Sequence, residues 1–228
     1  MEYRLDHTIT EIAIADYIAR YHNPDKFIEF CKDCDRYGAC WACPPYNFDP
    51  AESISQYTNA FILGTKITPA DNLRSRADAL KGRNDTEEGV KEIVYRLIKE
   101  VRTFLDKSLL AAEERYPGSM ALFAGTCHLC PLGSCTRIMG VPCIYPEKIR
   151  PSLEAFGFDI GKTSSELLSI ELKWSSNEEL PEYFVLVSGF FTNQNEGCIT
   201  LDDLQLVLRE DPKFSKDTPV HCSVGSLY

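Results

Sequence analysis

EEGVKEIVYRLIKEVRTFLDKSLLAAEERYPGSMALFA, residues 87–124, is the stretch on which the fold turns. Val90, Ile93, Val94, Leu97, Ile98, Val101, Phe104, Leu105 and Leu109 recur at three- and four-residue steps, one apolar stripe on a helical period. A helix is therefore expected from about Glu87 to Arg115, with Asp85 and Glu88 capping its start and Pro117-Gly118 ending it. Met120 to Ala124 follows as a short strand, and upstream Ala60 to Ile67 reads as a buried one. Strand, long helix, strand is a βαβ unit, which predicts a parallel pair joined by a right-handed crossover. The expected class is α/β: a mixed, partly parallel sheet with flanking helices and two Cys-rich metal-binding loops. In open α/β sheets the reactive site lies beyond the carboxyl ends of the strands. The two loops are accordingly expected at one edge of the sheet, near each other.

Working outward, Thr8-x-x-Glu11 reads as a capping box before a helix from Thr10 to Arg20. Phe27 to Phe30 is a brief apolar run, and residues 69–86 read as a polar, partly helical excursion that could serve as a lid. Pro151 to Ala155, Ser164 to Leu172 and Leu201 to Arg209 read as helices, and Tyr183 to Phe191 (YFVLVSGFF) as the plainest strand. Residues 1–228 are read as a single domain, with 192–228 a C-terminal extension.

Apolar residues make up 44 % of the 228 and charged residues 25 %, an ordinary globular mixture. The formal net charge of -10 repels a phosphate backbone, so neither nucleic acid nor an anionic membrane is an expected partner. No apolar run approaches the ~18–20 residues that cross a bilayer, and the start lacks an export pattern, so the cytoplasm is the expected location.

Ten cysteines stand out, and eight fall into two groups that each open with C-x-x-C. The first, CKDCDRYGACWACPP at 31–45, holds Cys31, Cys34, Cys40 and Cys43; the second, CHLCPLGSCTRIMGVPC at 127–143, holds Cys127, Cys130, Cys135 and Cys143. Reduced, clustered cysteines in the cytosol point to metal or redox chemistry rather than to bridges. Tight turns aim paired sulfurs at one point, and four thiolates can close a zinc site or hold the corners of an iron–sulfur cube. The unequal gaps, and the prolines at 44, 45, 131 and 142, favour an iron–sulfur comb, with zinc as the alternative. In the first group Cys31, Cys34 and Cys43 could hold three corners, with Cys40, a remote residue or a substrate as the fourth. His128 reads as a solvated or supporting side chain, and Cys198 and Cys222 as small buried hydrophobes. The sequence GFDIGKT at 157–163 has its glycines one residue too close for a phosphate loop, and residues 192–203 lack the leading Asp of a calcium loop.

The pattern C-x-x-C-x-x-Y-G-x-x-W-x-C-P-P (Cys31 to Pro45) and the run from Cys127 through RPSLEAFGFD (150–159) resemble a family of predicted metal-binding proteins found in bacteria and archaea. The resemblance covers about residues 5 to 190 and implies metal binding, with iron–sulfur as its expected form and no agreed reaction. It carries over Cys31, Cys34 and Cys43, whereas the family pattern has no cysteine at the position of Cys40. Within its second motif, Lys148 and Arg150 could offset the charge of an anionic cluster, and Glu154 could hydrogen-bond a ligand or cap a helix.

The expected function is a protein binding one or two [4Fe-4S] clusters as an electron-transfer or redox accessory module. A redox partner protein or a small-molecule substrate is the expected partner. The alternatives are a zinc-stabilised interaction protein, or an enzyme using an open-cornered cluster.

Overall fold

Tyr3, Leu5, His7 and Ile9 alternate with Arg4, Asp6 and Thr8, the period of two that turns one side of a strand to a core. In the computed structural model these residues form β1, Tyr3–Ala13, and the helix α1 begins only at Ile14, ending at Tyr21. The helix expected from Thr10 is thus corrected. Thr8 and Glu11 stand inside the strand, where their backbones face Gly64 and Phe61 across an eleven-residue antiparallel ladder with β2, Asn59–Pro69. A local cap satisfies one or two N–H groups, whereas that ladder satisfies a whole row. The structure describes residues 2–79, 86–131, 133–173, 180–193, 204 and 220–222, with the backbone alone at 86–88 and 220–222.

Helix α2, Pro24–Lys32, starts on the Asn23 side chain, which accepts from the Lys26 N–H, with proline at its first position. It absorbs the Phe27 to Phe30 run. A short α3, Pro50–Ser55, is capped by Asp49 and leads into β2. Helix α4, Asp71–Asp78, packs Leu73 and Ala77 inward, so this part of the expected excursion is a seated helix. Helix α5, Thr86–Arg115, is the long amphipathic helix of the sequence reading, and β3, Met120–Leu122, follows it. Pro151 to Ala155 forms turns instead of a helix, with Ser152 bridging to Phe123. The three-residue α6, Ile160–Lys162, runs into a π-turn over Thr163–Leu167, after which the chain leaves helical geometry. The strand β4, Phe184–Thr192, lies within a residue of its expected place. The Leu201 to Arg209 helix lies outside the described residues apart from Leu204, which packs into the core.

The sheet order is β3-β4-β2-β1-β5, with β5 at Val220–Cys222. The four strands β3, β4, β2 and β1 are antiparallel throughout, and this overturns the expected parallel pair between β2 and β3. Those two strands do run the same way, but β4 is inserted between them and pairs antiparallel with both, Ile62↔Gly189 on one side and Leu122↔Gly189 on the other. Among the described residues, the three-residue β5 alone of the named strands lies parallel to its neighbour, β1, at the far edge.

Both faces of the sheet are covered. On one, Leu5, Ile9, Phe61, Leu63 and Phe190 meet the α5 stripe of Leu97, Val101, Phe104, Leu105 and Leu109. On the other, Ile12, Ile62 and Phe191 meet Tyr17 and Tyr21 of α1 and the 153–158 turn through Leu153, Phe156 and Phe158. Beta-branched and aromatic residues dominate β2 because its centre is buried on both faces. Among the described residues no helix is long and apolar enough to cross a membrane.

Candidate metal centre

The two cysteine groups leave the fold from different elements. Cys31 sits on the last turn of α2, Cys34 on the turn after it, and Cys40 and Cys43 in the loop to α3. The second group leaves β3 and winds through a 3-10 turn at Thr136–Met139. Arg137 on that turn joins the two loops. Its Nη1 donates to the carbonyls of Cys40 at 2.8 Å and Cys43 at 2.5 Å, and its Nη2 to that of Pro45. Trp41 reaches back, its indole N–H donating to the Val141 carbonyl at 3.1 Å and the Thr136 hydroxyl at 3.3 Å, and Arg137 lies 5.4 Å over its ring. The planar fork of an arginine suits this role, since several carbonyls can be bound at once by a charged donor.

Cys40 and Cys43 are buried and pack with the half-buried Cys127 and Cys135. One pocket is lined by Cys40, Cys127, Cys130, Cys135 and Cys143 together, with Trp41, Tyr145 and Arg36 around them. The Cys40 thiol is held well below the ordinary thiol range, because the Cys127 and Cys43 thiols and the Ala42 N–H donate hydrogen bonds to its sulfur. The thiols of Cys43 and Cys127 are pushed up, chiefly as the donors in those contacts and then by burial. Backbone N–H groups two residues on support the sulfurs: Ala42 at Cys40, Leu129 at Cys127, and Tyr145 at Cys143 at 3.3 Å. Such donors offset thiolate charge.

Charged side chains lie beneath. Arg102 of α5 is buried, donates from Nη2 to the Thr126 carbonyl, and leaves its Nε without a hydrogen-bond partner. Burial lowers its pKa, while Asp106, Cys127 and Glu154 act the other way. His128 Nε2 lies 2.9 Å from Asp106 Oδ2, with both side chains nearly buried, so His128 is fixed to α5 and is not solvated. Arg102 and Asp106 were not singled out in the sequence. Their signal was there: two opposite charges four residues apart among the apolar positions of α5.

Cys31 opens onto a different, larger cavity, shared with Glu154. Burial raises the Cys31 thiol, with Cys34 and Glu154 adding to it. Among the sequence candidates, Glu154 carries a buried carboxyl whose pKa burial raises, and its Oε2 lacks a hydrogen-bond partner. Arg150 is engaged elsewhere: its Nε donates to Glu113 Oε1 at 2.8 Å, and Nη2 adds a second bond to that carboxylate. Lys148 is exposed. The positive charges against the cysteine loops are Arg36, Arg137 and Arg102. Cys198 lies outside the described residues, and Cys222 falls in β5.

Among the described residues, no three Cys, His, Asp or Glu side chains form a group ready to hold a single ion. The donor set itself suits a soft, thiophilic metal group: several free sulfurs, backbone N–H support and buried guanidinium charge. Between Cys135 and Tyr145 the second loop carries exposed apolar side chains, Ile138, Met139, Val141 and Ile144, with Met139 69 % exposed. Searches among curated proteins and solved structures found no match. A protein-family profile does match, over residues 18–188, about three quarters of the chain. The chain belongs to the family of predicted metal-binding proteins designated DUF2284.

Proposed function

We propose that this protein binds an iron–sulfur cluster of the [4Fe-4S] type on Cys127, Cys130, Cys135 and Cys143, and serves as an electron-transfer or redox accessory module. The observation that carries the reading is one pocket lined by those four cysteines together with Cys40, five thiol-bearing residues brought together from two loops. Zinc draws its thiolates onto one atom at ~2.3 Å, whereas a cube takes them at separate corners. Cys31, Cys34 and Cys43 form an incomplete second set, with Cys40 lying between it and the first.

Bound there, the group would supply one-electron chemistry, and this chain's residues set its surroundings. Arg137 holds the two loops together, Arg102 places positive charge behind Cys127, and N–H donors at the sulfurs favour the charged form. The exposed apolar side chains between Ile138 and Ile144, on the same loop as the four proposed ligand cysteines, support docking of a protein redox partner, since grouped exposed apolar side chains mark interaction surfaces.

Anaerobically purified protein should be brown, with a broad band near ~400 nm and matching iron and acid-labile sulfide. Cys135→Ser should abolish or reshape that band. Colourless protein, free of iron and sulfide after anaerobic reconstitution, rejects the reading. A second reading, a zinc-stabilised interaction protein, is favoured by the contact among the Cys40, Cys43 and Cys127 thiols. It predicts stoichiometric zinc and a cooperative loss of structure on chelation.

A further inference from the structure

Cys40 stands outside the four-cysteine set of the second loop, yet its sulfur accepts hydrogen bonds from the thiols of both Cys127 and Cys43. Other neighbouring thiols meet differently. Cys31 feels Cys34, and Cys130 feels Cys135 and Cys143, through charge rather than through a hydrogen bond. Exposure then separates the two partners of Cys40. At 2 % and 7 % exposure Cys40 and Cys43 are shut off from solvent, whereas Cys127 is half-buried on the wall of the pocket. Of these three thiols, Cys127 is therefore the one that a dissolved oxidant meets first. Positive charge lies near both ends of the cross-loop contact: Arg36 lines the same pocket, and Arg102 donates to the carbonyl of Thr126, the residue before Cys127. Reactive cysteines sit in such partly exposed, electropositive surroundings.

We propose that Cys40 and Cys127 form a modification site, at which a hydroperoxide converts the two thiols into a disulfide that joins the loops and withdraws Cys127 from the metal pocket. With hydrogen peroxide, the Cys127 sulfur first takes one oxygen: an S–O bond forms, the O–O bond breaks, and one water leaves a sulfenic acid behind. The Cys40 sulfur then attacks the Cys127 sulfur. The S–S bond forms, the S–O bond breaks, and hydroxide departs with the Cys40 proton as a second water. Two thiols and one peroxide thus become one disulfide and two waters, the sulfurs losing the two electrons that the peroxide gains. A dithiol reductant restores both thiols. The cross-loop contact carries the bridge by itself. Its effect on metal loading rests on the cluster reading, because a sulfur that holds a cluster corner is not free to form a disulfide.

The test treats the full chain, purified anaerobically, with a small excess of hydrogen peroxide, alkylates the remaining thiols and maps tryptic peptides without reduction. Peptide 37–66, which carries Cys40, should be joined to peptide 116–137, which carries Cys127, in most chains, and dithiothreitol should separate them. Both peptides hold further cysteines, so variants assign the bridge. Cys40→Ser should cut the joined pair about tenfold or more and drive Cys127 on to sulfinic acid, because no thiol is left to resolve it. Cys43→Ser should leave the joined pair within about twofold of the wild type. The proposal is overturned if the wild type instead closes Cys40 to Cys43 or Cys127 to Cys130 within one peptide, or if the joined pair survives Cys40→Ser. Iron and sulfide are measured on the same samples. In iron-bearing protein the joined pair should appear in step with loss of the band near ~400 nm. Bleaching without the joined pair sinks only this proposal, and a joined pair in a chain that takes up no iron sinks only the cluster reading.

Discussion

Gly157 shows what one missing methyl can hold together. Its φ is +88°, and a Cβ there would lie 2.7 Å from Pro24 Cα and 3.2 Å from His22 Nε2. The sequence places this glycine in a near-match to a phosphate loop; in the structure it lets the 153–158 turn press onto the start of α2, where the Asn23 N–H donates to its carbonyl at 2.9 Å. Gly157→Ala combines left-handed strain with a backbone clash and should cost about 2–3 kcal/mol, read from denaturant midpoints. A loss below about 0.5 kcal/mol would mean that the turn and α2 separate freely. Cys40 makes the complementary point. Spacing alone groups it with Cys31, Cys34 and Cys43, yet at 2 % exposure its sulfur takes hydrogen bonds from both Cys43 and Cys127. Spacing measures separation along the chain, and this thiol is defined by what reaches it across 87 residues.

At the scale of elements, the fastening of one loop to the other matters more than either alone. Neither loop has regular pairing of its own beyond isolated turns such as Cys43 N–H to Cys40 O at 3.0 Å. Arg137 supplies three bonds from one side chain to carbonyls of the other loop. Arg137→Ala should therefore strand those acceptors, costing about 2–4 kcal/mol. More specifically, it should speed native-state labelling of Cys40 by a thiol reagent about tenfold or more, while Cys34, already exposed, reacts as before. Equal protection of Cys40 in the variant would reject the fastening role. From below, His128 and Asp106 tie the second loop to α5, and Arg150 with Glu113 ties its far end to the same helix. The α5 stripe was legible because apolar residues repeat on a helical period. Its polar partners were not, because a charge reads as solvated until something is seen to cover it.

For the whole molecule, the sheet's interior sets a pH limit. His7 is buried on β1, its Nδ1 2.9 Å from Thr65 Oγ1, and burial lowers its pKa from 6.5 to about 4 despite the opposing pull of Asp6. The unfolded chain then takes up a proton below about pH 6.5 that the native state refuses until about pH 4, so stability falls as pH drops through that window and levels off beneath it. The loss should reach about 3 kcal/mol. His7→Gln should remove that slope, so the difference between variant and wild-type unfolding free energies should change between pH 6.5 and 4.5; parallel curves would show that His7 does not carry it. Read as a sequence, the chain by itself determined the long helix, the β2 and β4 strands and the two thiol-rich loops of a metal-binding family, because periodicity and spacing are local properties of the chain. Only the tertiary structure decided the rest. It put β4 between β2 and β3, extended β1 through Thr10–Ala13, which reads as the start of a capped helix, and moved Cys40 against the second loop. A strand's apolar pattern specifies that it must be covered and paired but not by which neighbour, and that choice is made by the packing of the whole core.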